Sequence, residues 1–394
     1  MSEEIIRIAA RGEGVTADGR YAALAAPGDR LREDGTIEPG SGHQQPPCRH
    51  FPECGGCQLQ HVTDEAYRAF LSNRVAGALA QHRLETEIRA AHLSPPNSRR
   101  RATLRAISAG KQVVIGFNAA RSKRIVDMRE CHILRPELFA LIEPLRDLLS
   151  GALQVPAVAE IRLTLADQGA DVLLSGVQSE GLEAAEALPR FGEAHGLARL
   201  SVDDGYGAET RYEPEPVTVT LSGVPVVLPP GAFLQATEDG ERALVEAVRE
   251  AVGEPGRSAD LFAGIGTFAL ALEGESVAAE ASREAALTLQ MAARRSGKAV
   301  SVEHRDLYRR PYDARELAAF DAVILDPPRA GAEEQVRQLA VSEVPQIAYV
   351  SCNPATFARD AAMLVGGGYR LDWARPVGQF RWSTHIELAA SFTR

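Results

Sequence analysis

From residue 231 to residue 394 the chain alternates short apolar runs with amphipathic segments, and this alternation constrains the fold more than any other feature. Residues 322–325 and 347–350 are apolar runs of strand length, whereas residues 238–252 repeat apolar side chains at helical spacing. Strands that alternate with helices pair in parallel, because each crossover carries a covering helix. We therefore predict an α/β domain with a mostly parallel sheet over residues 231–394.

One thiol stands at the end of such a run. Cys352 follows the apolar residues 347–350, and Asn353-Pro354 interrupts the pattern before a helix that begins near Thr356. A side chain at a strand-to-helix junction of an open α/β sheet lies in the crevice where ligands bind. A lone cysteine in a large chain is more often a small buried hydrophobe. The position alone leaves both interpretations open.

A glycine turn precedes this thiol in the sequence. Gly264 and Gly266 follow the run that contains Asp260, and they permit a tight turn and the close approach of a ligand. Glu280, 20 positions after Asp260, suits hydrogen bonds to ribose hydroxyls. The G-x-G-x-x-G phosphate pattern is incomplete, because Phe-Ala follows where the third glycine is expected. The turn therefore predicts an adenosine ligand without a pyrophosphate, and S-adenosylmethionine is such a ligand.

The first 230 residues carry a different pattern, which predicts two further parts. Residues 1–47 combine short alternating runs with a tail rich in Gly and Pro, so we expect a small β segment and a linker. Residues 48–230 contain several short strand patterns, which predict a central α+β domain. The helical pattern over residues 63–84 is a candidate for packing against the C-terminal domain.

The five cysteines divide into four and one. Cys48, Cys54 and Cys57 lie within ten residues, and a two-glycine turn lets the last two sulfurs face one point; Cys131 is available as a fourth ligand. Five is an odd number, which does not suggest disulfides. Zinc prefers closely paired cysteines at both ends of a site, whereas three clustered cysteines plus a distant one are typical of iron–sulfur clusters. The spacing favours a [4Fe–4S] cluster over zinc, and both over unrelated free thiols.

Charge is unevenly distributed along the chain. The formal net charge of -10 argues against indiscriminate binding to nucleic acid, yet residues 99–129 contain nine Lys or Arg against one acid, Asp127. The nine are Arg99, Arg100, Arg101, Arg105, Lys111, Arg121, Lys123, Arg124 and Arg129. This segment is either a polyanion-binding face or a solvated basic surface.

The N-terminus is acidic and no apolar run approaches the ~20 residues of a membrane span, so we expect a cytoplasmic monomer without membrane contact.

Together these motifs resemble one family, the class I, S-adenosylmethionine-dependent RNA uridine C5 methyltransferases. In order they are the four clustered cysteines, Phe233-Leu234-Gln235, the glycine turn, Asp326-Pro327-Pro328-Arg329, Ser351-Cys352-Asn353-Pro354 and His385-Ile386-Glu387. The resemblance covers nearly the whole chain from Cys48 onward. It implies a Rossmann-like methyltransferase domain with a seven-stranded sheet. The iron–sulfur loop is similar to the branch that makes 5-methyluridine in 23S rRNA, more than to the tRNA branch.

The resemblance also implies roles for individual residues. The methyl donor would be bound by Gln235, Phe262, Gly264, Glu280, Asp306 and Asp326, and the cluster by Cys48, Cys54, Cys57 and Cys131. Cys352 would be the nucleophile and Glu387 the base. Two departures are visible: Thr267 stands where the family's turn often has Asn, and the segment before Cys48 is short for the OB-type RNA-binding barrel with which members usually begin. We expect a reduced version of that barrel.

The chemistry explains why these residue types are needed. Carbon 5 of uracil is a poor nucleophile, and a thiolate that adds to carbon 6 pushes electron density onto it. A carboxylate then removes the carbon 5 proton so that the thiolate is expelled. Because the target base must leave its stack, we expect a uridine in an RNA loop. Three alternatives stay open: a transfer-RNA target, cytosine C5 or amine chemistry, and a non-catalytic RNA-binding factor that keeps the fold.

Overall fold

The structure, a computed structural model, describes residues 2–110, 112–151 and 153–394, and it begins with a small antiparallel sheet. The strands are β1 (Glu3–Ile8), β2 (Gly14–Thr16), β3 (Tyr21–Ala22), β4 (Arg30–Leu31) and β5 (Ile37–Glu38), in the order β3-β2-β1-β4-β5. The carboxylate of Asp29 is buried and accepts the backbone N–H groups of Ala26 and Gly40, each at 2.7 Å. These bonds tie the sheet to the chain that leaves it.

A long helix from the first quarter of the chain packs against the C-terminal part. Helix α1 (Asp64–Gln81) begins after Thr63, whose hydroxyl accepts the N–H of Ala66. Its apolar face belongs to the same hydrophobic core as the C-terminal strands. That face consists of Tyr67, Phe70, Leu71, Val75 and Leu79. Two short strands follow, β6 (Glu87–Ile88) and β7 (His92–Leu93).

A six-stranded sheet forms the middle of the molecule. Its strands are β8 (Arg101–Ala109), β9 (Gln112–Gly116), β10 (Val158–Ala166), β11 (Gly169–Ser175), β12 (Arg199–Asp203) and β13 (Ala208–Tyr212), in the order β13-β12-β11-β10-β8-β9. Its helices are α2 (Pro136–Phe139), α3 (Ile142–Ser150) and α4 (Leu182–Ala194). Alternate residues of the strands, such as Leu104 and Ile161, fill a core shared with these helices. A hairpin of β14 (Thr218–Leu221) and β15 (Val224–Val227) leads out of this part.

The C-terminal part alternates helices and strands as predicted. Its helices are α5 (Glu238–Val252), α6 (Arg283–Ser296), α7 (Ala314–Leu317), α8 (Glu333–Ala340) and α9 (Pro354–Gly366). Its strands are β16 (Arg257–Leu261), β17 (Glu275–Glu280), β18 (Val300–His304), β19 (Ala322–Leu325), β20 (Gln346–Ser351), β21 (Arg370–Gly378) and β22 (Glu387–Thr393). Among the residues that the structure describes, no helix combines the length and the apolarity needed to cross a membrane.

Within the described residues the C-terminal sheet has nine strands: residues 231–394 supply seven of them, β16 to β22, and β6 and β7 from the central part of the chain add two. Strands β18, β17, β16, β19 and β20 are parallel, β22 and β21 follow in antiparallel pairings, and β6 and β7 both pair in parallel with β21. Without β6 and β7 the outer side of β21 would expose unpaired backbone groups. Strands of two residues are too short to show a period in the sequence.

The order of the parallel strands reverses at β16. Strands β17 and β18 lie on one side of it, and β19 and β20 lie on the other. In open α/β sheets, ligands bind outside the carboxyl ends of the strands at such a reversal. The residues that follow these five strands therefore meet at one edge of the sheet.

Candidate functional site

A cavity of about 970 Å³ opens at this carboxyl edge. It is lined by every residue predicted to bind the methyl donor and by both residues predicted to be catalytic: Gln235, Phe262, Gly264, Glu280, Asp306, Asp326, Cys352 and Glu387. These residues come from the ends of five parallel strands, from the loop before α5 and from the start of β22. The cavity lies at the upper end of the range of about 300–1,000 Å³ for small-molecule sites, so it has room for more than one ring system.

The turn after β16 is tied to the end of β17 through a carboxylate. Glu280 accepts the backbone N–H of Gly264 at 2.9 Å and that of Ser282 at 2.6 Å. Gly266 has φ 99°, and a Cβ there would lie 2.3 Å from Cδ1 of Leu289 on α6. Only glycine fits this approach between the turn and the helix. The carboxylate is thus held beside the turn at the mouth of the cavity.

Two aspartates near the strand ends have raised pKa values. Asp260 is fully buried, and its Oδ2 accepts the N–H of Ala269 at 2.8 Å, while its Oδ1 has no hydrogen-bond partner within the described residues. Burial raises the pKa of Asp260 to about 7, and the charges of Asp326 and Glu280 act in the same direction. Burial also raises the pKa of Asp326 to about 7. Such carboxyl groups favour a ligand that brings hydrogen-bond donors or positive charge.

An aromatic wall completes the donor side of the cavity. The ring of Tyr308 lies 5.5 Å from that of Phe262, and its hydroxyl donates to the carbonyl of Gly331 at 3.0 Å. The Asp306 carboxylate accepts the backbone N–H of Tyr308 at 3.0 Å. Sequence analysis missed Tyr308, although it lies only two positions after Asp306.

The thiol of Cys352 is fixed by the loop that contains it. Asn353 caps α9, since its Oδ1 accepts the N–H of Ala355 at 3.1 Å, and its amide donates to the carbonyl of Arg329 at 3.0 Å. Burial raises the pKa of the Cys352 thiol to about 11, the charges of Glu387 and Asp326 raise it as well, and Arg329 opposes them. The thiol is therefore neutral at pH 7 until a further positive charge arrives.

Glu387 is the first residue of β22 and is almost fully buried. Burial raises its pKa well above the ordinary value, and the charge of Asp326 raises it further. A hydrogen bond from Gln379 and the charges of Arg101 and Arg329 lower it. His385 also lines the cavity and lies just before the strand, which begins at Glu387. The preceding turn ends the regular backbone pairing.

Two arginine–aromatic pairs lie at the cavity, and both arginines belong to the basic segment that the sequence analysis singled out. The guanidinium of Arg101 lies 4.5 Å from the ring centre of Phe233, and that of Arg99 lies 5.4 Å from the ring centre of Phe380. Phe233 remains 59% exposed. Exposed aromatic rings beside arginines are typical of surfaces that stack unpaired bases. No local pattern distinguishes Arg99 and Arg101 from the basic residues around them.

The basic segment over residues 99–129 does not form one cationic face. Arg100 is buried and bonded to Glu241 at 2.6 Å, while the exposed Arg121 pairs with Glu13 at 2.7 Å. Further ion pairs involve Arg105 with Glu160, Arg124 with Glu53, and Arg129 with Asp127. Lys111 lies outside the described residues. Acids distant in the sequence thus neutralise much of the segment.

A second cavity is lined by Cys48, Cys54, Cys57 and Cys131, none of which forms a disulfide. Burial raises the pKa of each of these thiols, that of Cys57 to about 12. Within the described residues, no group of three or more His, Cys, Asp or Glu stands close enough to hold a metal ion. Phe117 and Gly56 line both cavities. The cysteine loop also contacts the chain before β22, because the carbonyl of Trp382 accepts the N–H groups of Gln58 and Leu59 at 2.8 and 2.9 Å.

Comparison with known proteins gives relatives across the whole chain. An RNA methyltransferase of Zymomonas mobilis, itself uncharacterized, is 51% identical over 395 residues and covers 100% of both chains. The 23S rRNA (uracil(1939)-C(5))-methyltransferase RlmD of Halomonas elongata is 35% identical, over 87% of this chain and 75% of that protein. The family model for tRNA (Uracil-5-)-methyltransferase matches residues 287–394.

One solved structure shares the fold from end to end. The tRNA (uracil-54, C5)-methyltransferase of Pyrococcus abyssi, in complex with S-adenosyl-L-homocysteine, superposes with a TM-score of 0.76. The alignment covers 100% of this chain and 99% of that chain at 24% identity.

Proposed function

The chain belongs to the RNA uracil C5 methyltransferase family, and from this premise we propose that it makes 5-methyluridine in 23S rRNA. It is an RNA methyltransferase. The observation that supports the reaction most directly is the cavity at the carboxyl edge, which is lined by a half-buried thiol, a buried carboxyl group and the predicted donor-binding residues.

S-adenosylmethionine is the methyl donor in this proposal. When bound, it supplies an electrophilic methyl group on a positively charged sulfur. Glu280 lies at the end of the second strand, where a carboxylate suits ribose hydroxyls. Asp326 and Gln235 supply polar atoms deeper in the cavity, and Phe262 supplies an apolar surface. The bound state of P. abyssi's enzyme, with S-adenosyl-L-homocysteine, supports a ligand of this class.

Cys352 is the nucleophile in this proposal. Its sulfur forms a bond to carbon 6 of uracil, and the electron pair of the carbon 5–carbon 6 double bond moves into the ring as an enolate. Carbon 5 then takes the methyl group, and the broken sulfur–methyl bond leaves its electron pair on the sulfur, so that neutral S-adenosylhomocysteine is the leaving group. The raised pKa of the thiol means that it ionises only with help from positive charge. Arg329 supplies part of that charge from the protein.

Glu387 completes the reaction as the base. It removes the proton from carbon 5, the double bond re-forms, and the bond between sulfur and carbon 6 breaks to release the thiolate. Its burial and its position beside Cys352 and Asp326 support this role.

The test of the reaction uses RNA that contains 5-fluorouridine. Fluorine at carbon 5 cannot be removed as a proton, so the RNA stays bonded to the enzyme after methyl transfer. We expect a covalent adduct with S-adenosylmethionine present, and none with Cys352→Ala. If the wild-type protein gives no adduct, or if Cys352→Ala gives an equal one, the mechanism is wrong.

The choice of 23S rRNA is tested separately. The relative from H. elongata supports ribosomal RNA, whereas the end-to-end fold shared with the P. abyssi enzyme favours transfer RNA as the second candidate. We expect deletion of the gene to remove 5-methyluridine from 23S rRNA and to leave transfer RNA unchanged. Loss from transfer RNA alone would select the second candidate.

We also propose that Cys48, Cys54, Cys57 and Cys131 hold a [4Fe–4S] cluster. Four free thiols around one cavity fit such a cluster, since each of its irons takes one thiolate. The spacing of three clustered cysteines and one distant cysteine supports this cluster over a single zinc ion. Protein purified without oxygen should be brown and contain iron and sulfide. A colourless protein that contains zinc would refute the cluster.

A further inference from the structure

Gln379 is a buried polar residue that lies between the two halves of the candidate site. It follows the last residue of β21 and is only 2% exposed. Helix α5 makes room for it with a glycine, since a Cβ at Gly240 would lie 2.7 Å from Cβ of Gln379. Burying an amide is costly unless its donors and acceptors are paired. The partners of Gln379 therefore explain its presence.

The hydrogen bonds fix which way this amide points. The backbone N–H of Ala236 donates to Oε1 of Gln379 at 2.8 Å, so the other end of the amide is its nitrogen. That nitrogen donates to Oε1 of Gln235 at 2.7 Å. The amide nitrogen of Gln235 consequently faces Asp326, with Nε2 3.5 Å from Oδ2. Gln379 also lies near enough to Glu387 to lower the pKa of its carboxyl group.

We propose that Gln379 is a positioning residue that orients the Gln235 amide toward the methyl donor and the Glu387 carboxylate toward the carbon 5 proton. This inference rests on the proposed function. The segment that carries Gln235 has little freedom of its own, because Arg100 donates to the carbonyl of Gln235 at 3.2 Å and to that of Ala236 at 2.9 Å. The side-chain amide of Gln235 is held by Gln379 at its oxygen, at 2.7 Å, and by the longer contact with Asp326 at its nitrogen, at 3.5 Å.

The groups around Glu387 determine the sign of the effect on pH dependence. Asp326 disfavours its ionised form, and Arg101 and Arg329 favour it. The Cys352 thiol, which the charge of Glu387 affects, lies in the same cavity. The hydrogen bond from Gln379 stabilises the carboxylate, so losing it raises the pKa of Glu387. A base with a higher pKa is active only at higher pH.

The test compares Gln379→Met, Gln379→Glu and the matched control Gln335→Met. Gln335 is 1% exposed and makes two hydrogen bonds with the backbone of Tyr312, at 2.8 and 3.1 Å, outside the cavity. We expect Gln379→Met to slow 5-methyluridine formation by about tenfold or more. It should also move the acid limb of the pH–rate profile upward by about one pH unit and weaken binding of S-adenosylhomocysteine.

Gln379→Glu separates positioning from packing. It keeps the size of the side chain, but its carboxylate cannot donate and adds a negative charge near Glu387. We expect its acid limb to move further than that of Gln379→Met. A packing role predicts the reverse order, because glutamate fills the space better.

The inference is overturned if both variants match Gln335→Met in rate, pH limb and binding, or if both fail to fold while Gln335→Met folds. Failure of the proposed function differs from either result, because the wild-type protein itself then makes no 5-methyluridine and no adduct.

Discussion

The two cavities share the lining residues Phe117 and Gly56, yet their ionisable groups have different surroundings. At the carboxyl edge the acidic groups are held by specific donors: Glu280 by two backbone N–H groups and Asp260 by one. In the four-cysteine cavity, burial raises the pKa of every thiol, and the charges of the other thiols act in the same direction on Cys48, Cys54 and Cys57. Repulsion among the thiolates therefore opposes their joint ionisation.

The difference lies in where the compensating positive charge comes from. At the carboxyl edge the protein supplies it, since Arg101 and Arg329 both favour the ionised form of Glu387. In the cysteine cavity Arg99 does so for Cys131. Four thiolates in one buried cavity need more than one cation, and the proposed cluster would provide this positive charge. We therefore expect the four-cysteine cavity to require a bound metal.

Cys352→Ala tests whether the two sets of thiols are independent. We expect 5-methyluridine formation to fall by more than about 10³-fold, because the nucleophile is lost. The iron content should stay unchanged, since this thiol lies at the carboxyl edge. Mass spectrometry of the nucleosides and iron per chain measure both. Loss of iron in this variant would show that the cavities depend on each other.

Cys57→Ser tests the four-cysteine cavity. Cys57 is the most buried of the four clustered thiols. We expect loss of the cluster and a decrease of about 3 kcal/mol or more in the free energy of unfolding, because metal binding contributes to folding. Iron and sulfide content and urea unfolding measure the two effects. Cys352→Ser is the matched control, and it should keep both iron and stability.

The pH dependence of the reaction reports on the groups at the carboxyl edge. Glu387 acts as a base only when ionised, and its pKa is raised, so turnover should fall as pH decreases at values where an ordinary glutamate is still ionised. Turnover should decrease by about tenfold for each pH unit below the pKa of Glu387. The thiol of Cys352 has a pKa of about 11, and its protonation also makes turnover fall as pH decreases.

Adduct formation with 5-fluorouridine separates these two contributions, because it needs the thiolate but not the base. We expect the ratio of turnover to adduct formation to fall at low pH. A ratio that is constant with pH would assign the whole limb to Cys352 and remove Glu387 from the role of base.

Glu280→Gln should have the smallest effect of the set. The amide keeps the shape of the carboxylate but loses its charge for the hydroxyls of the ribose, so we expect about tenfold weaker binding of S-adenosylhomocysteine. The rate at saturating methyl donor should change less. Isothermal titration and saturation kinetics measure the two quantities. Glu275→Gln, at the exposed start of the same strand, is the matched control. A decrease in rate without a decrease in affinity would contradict the assignment.

Sequence reasoning succeeded where function depends on the ends of strands. Asp326, Glu280 and Cys352 follow apolar runs, and parallel strands bring their carboxyl ends to one edge whatever the details of packing. The bounds predicted for the helix over residues 238–252 agree with those of α5. The hydrophobic period of the segments and the position of a residue after an apolar run were sufficient to predict these features.

The remaining features depend on contacts between distant segments. Arg100 and Arg101 are neighbours in the sequence, yet one is buried against Glu241 and the other reaches Phe233. Gln379 gives no signal in its loop, because the two residues that fix its amide, Gln235 and Ala236, lie more than a hundred positions away. Such pairings follow from tertiary structure and leave no local period in the chain.

The pairing of β6 with β21 has a consequence for synthesis on the ribosome. Ile88 pairs with Ala374, 286 positions further along the chain. At about 5–20 residues per second, translation separates the two by roughly 15 to 60 s. During that interval the apolar face of α1 has been made but the strand and helix that cover it have not. The nascent protein therefore carries an uncovered hydrophobic helix through most of its elongation.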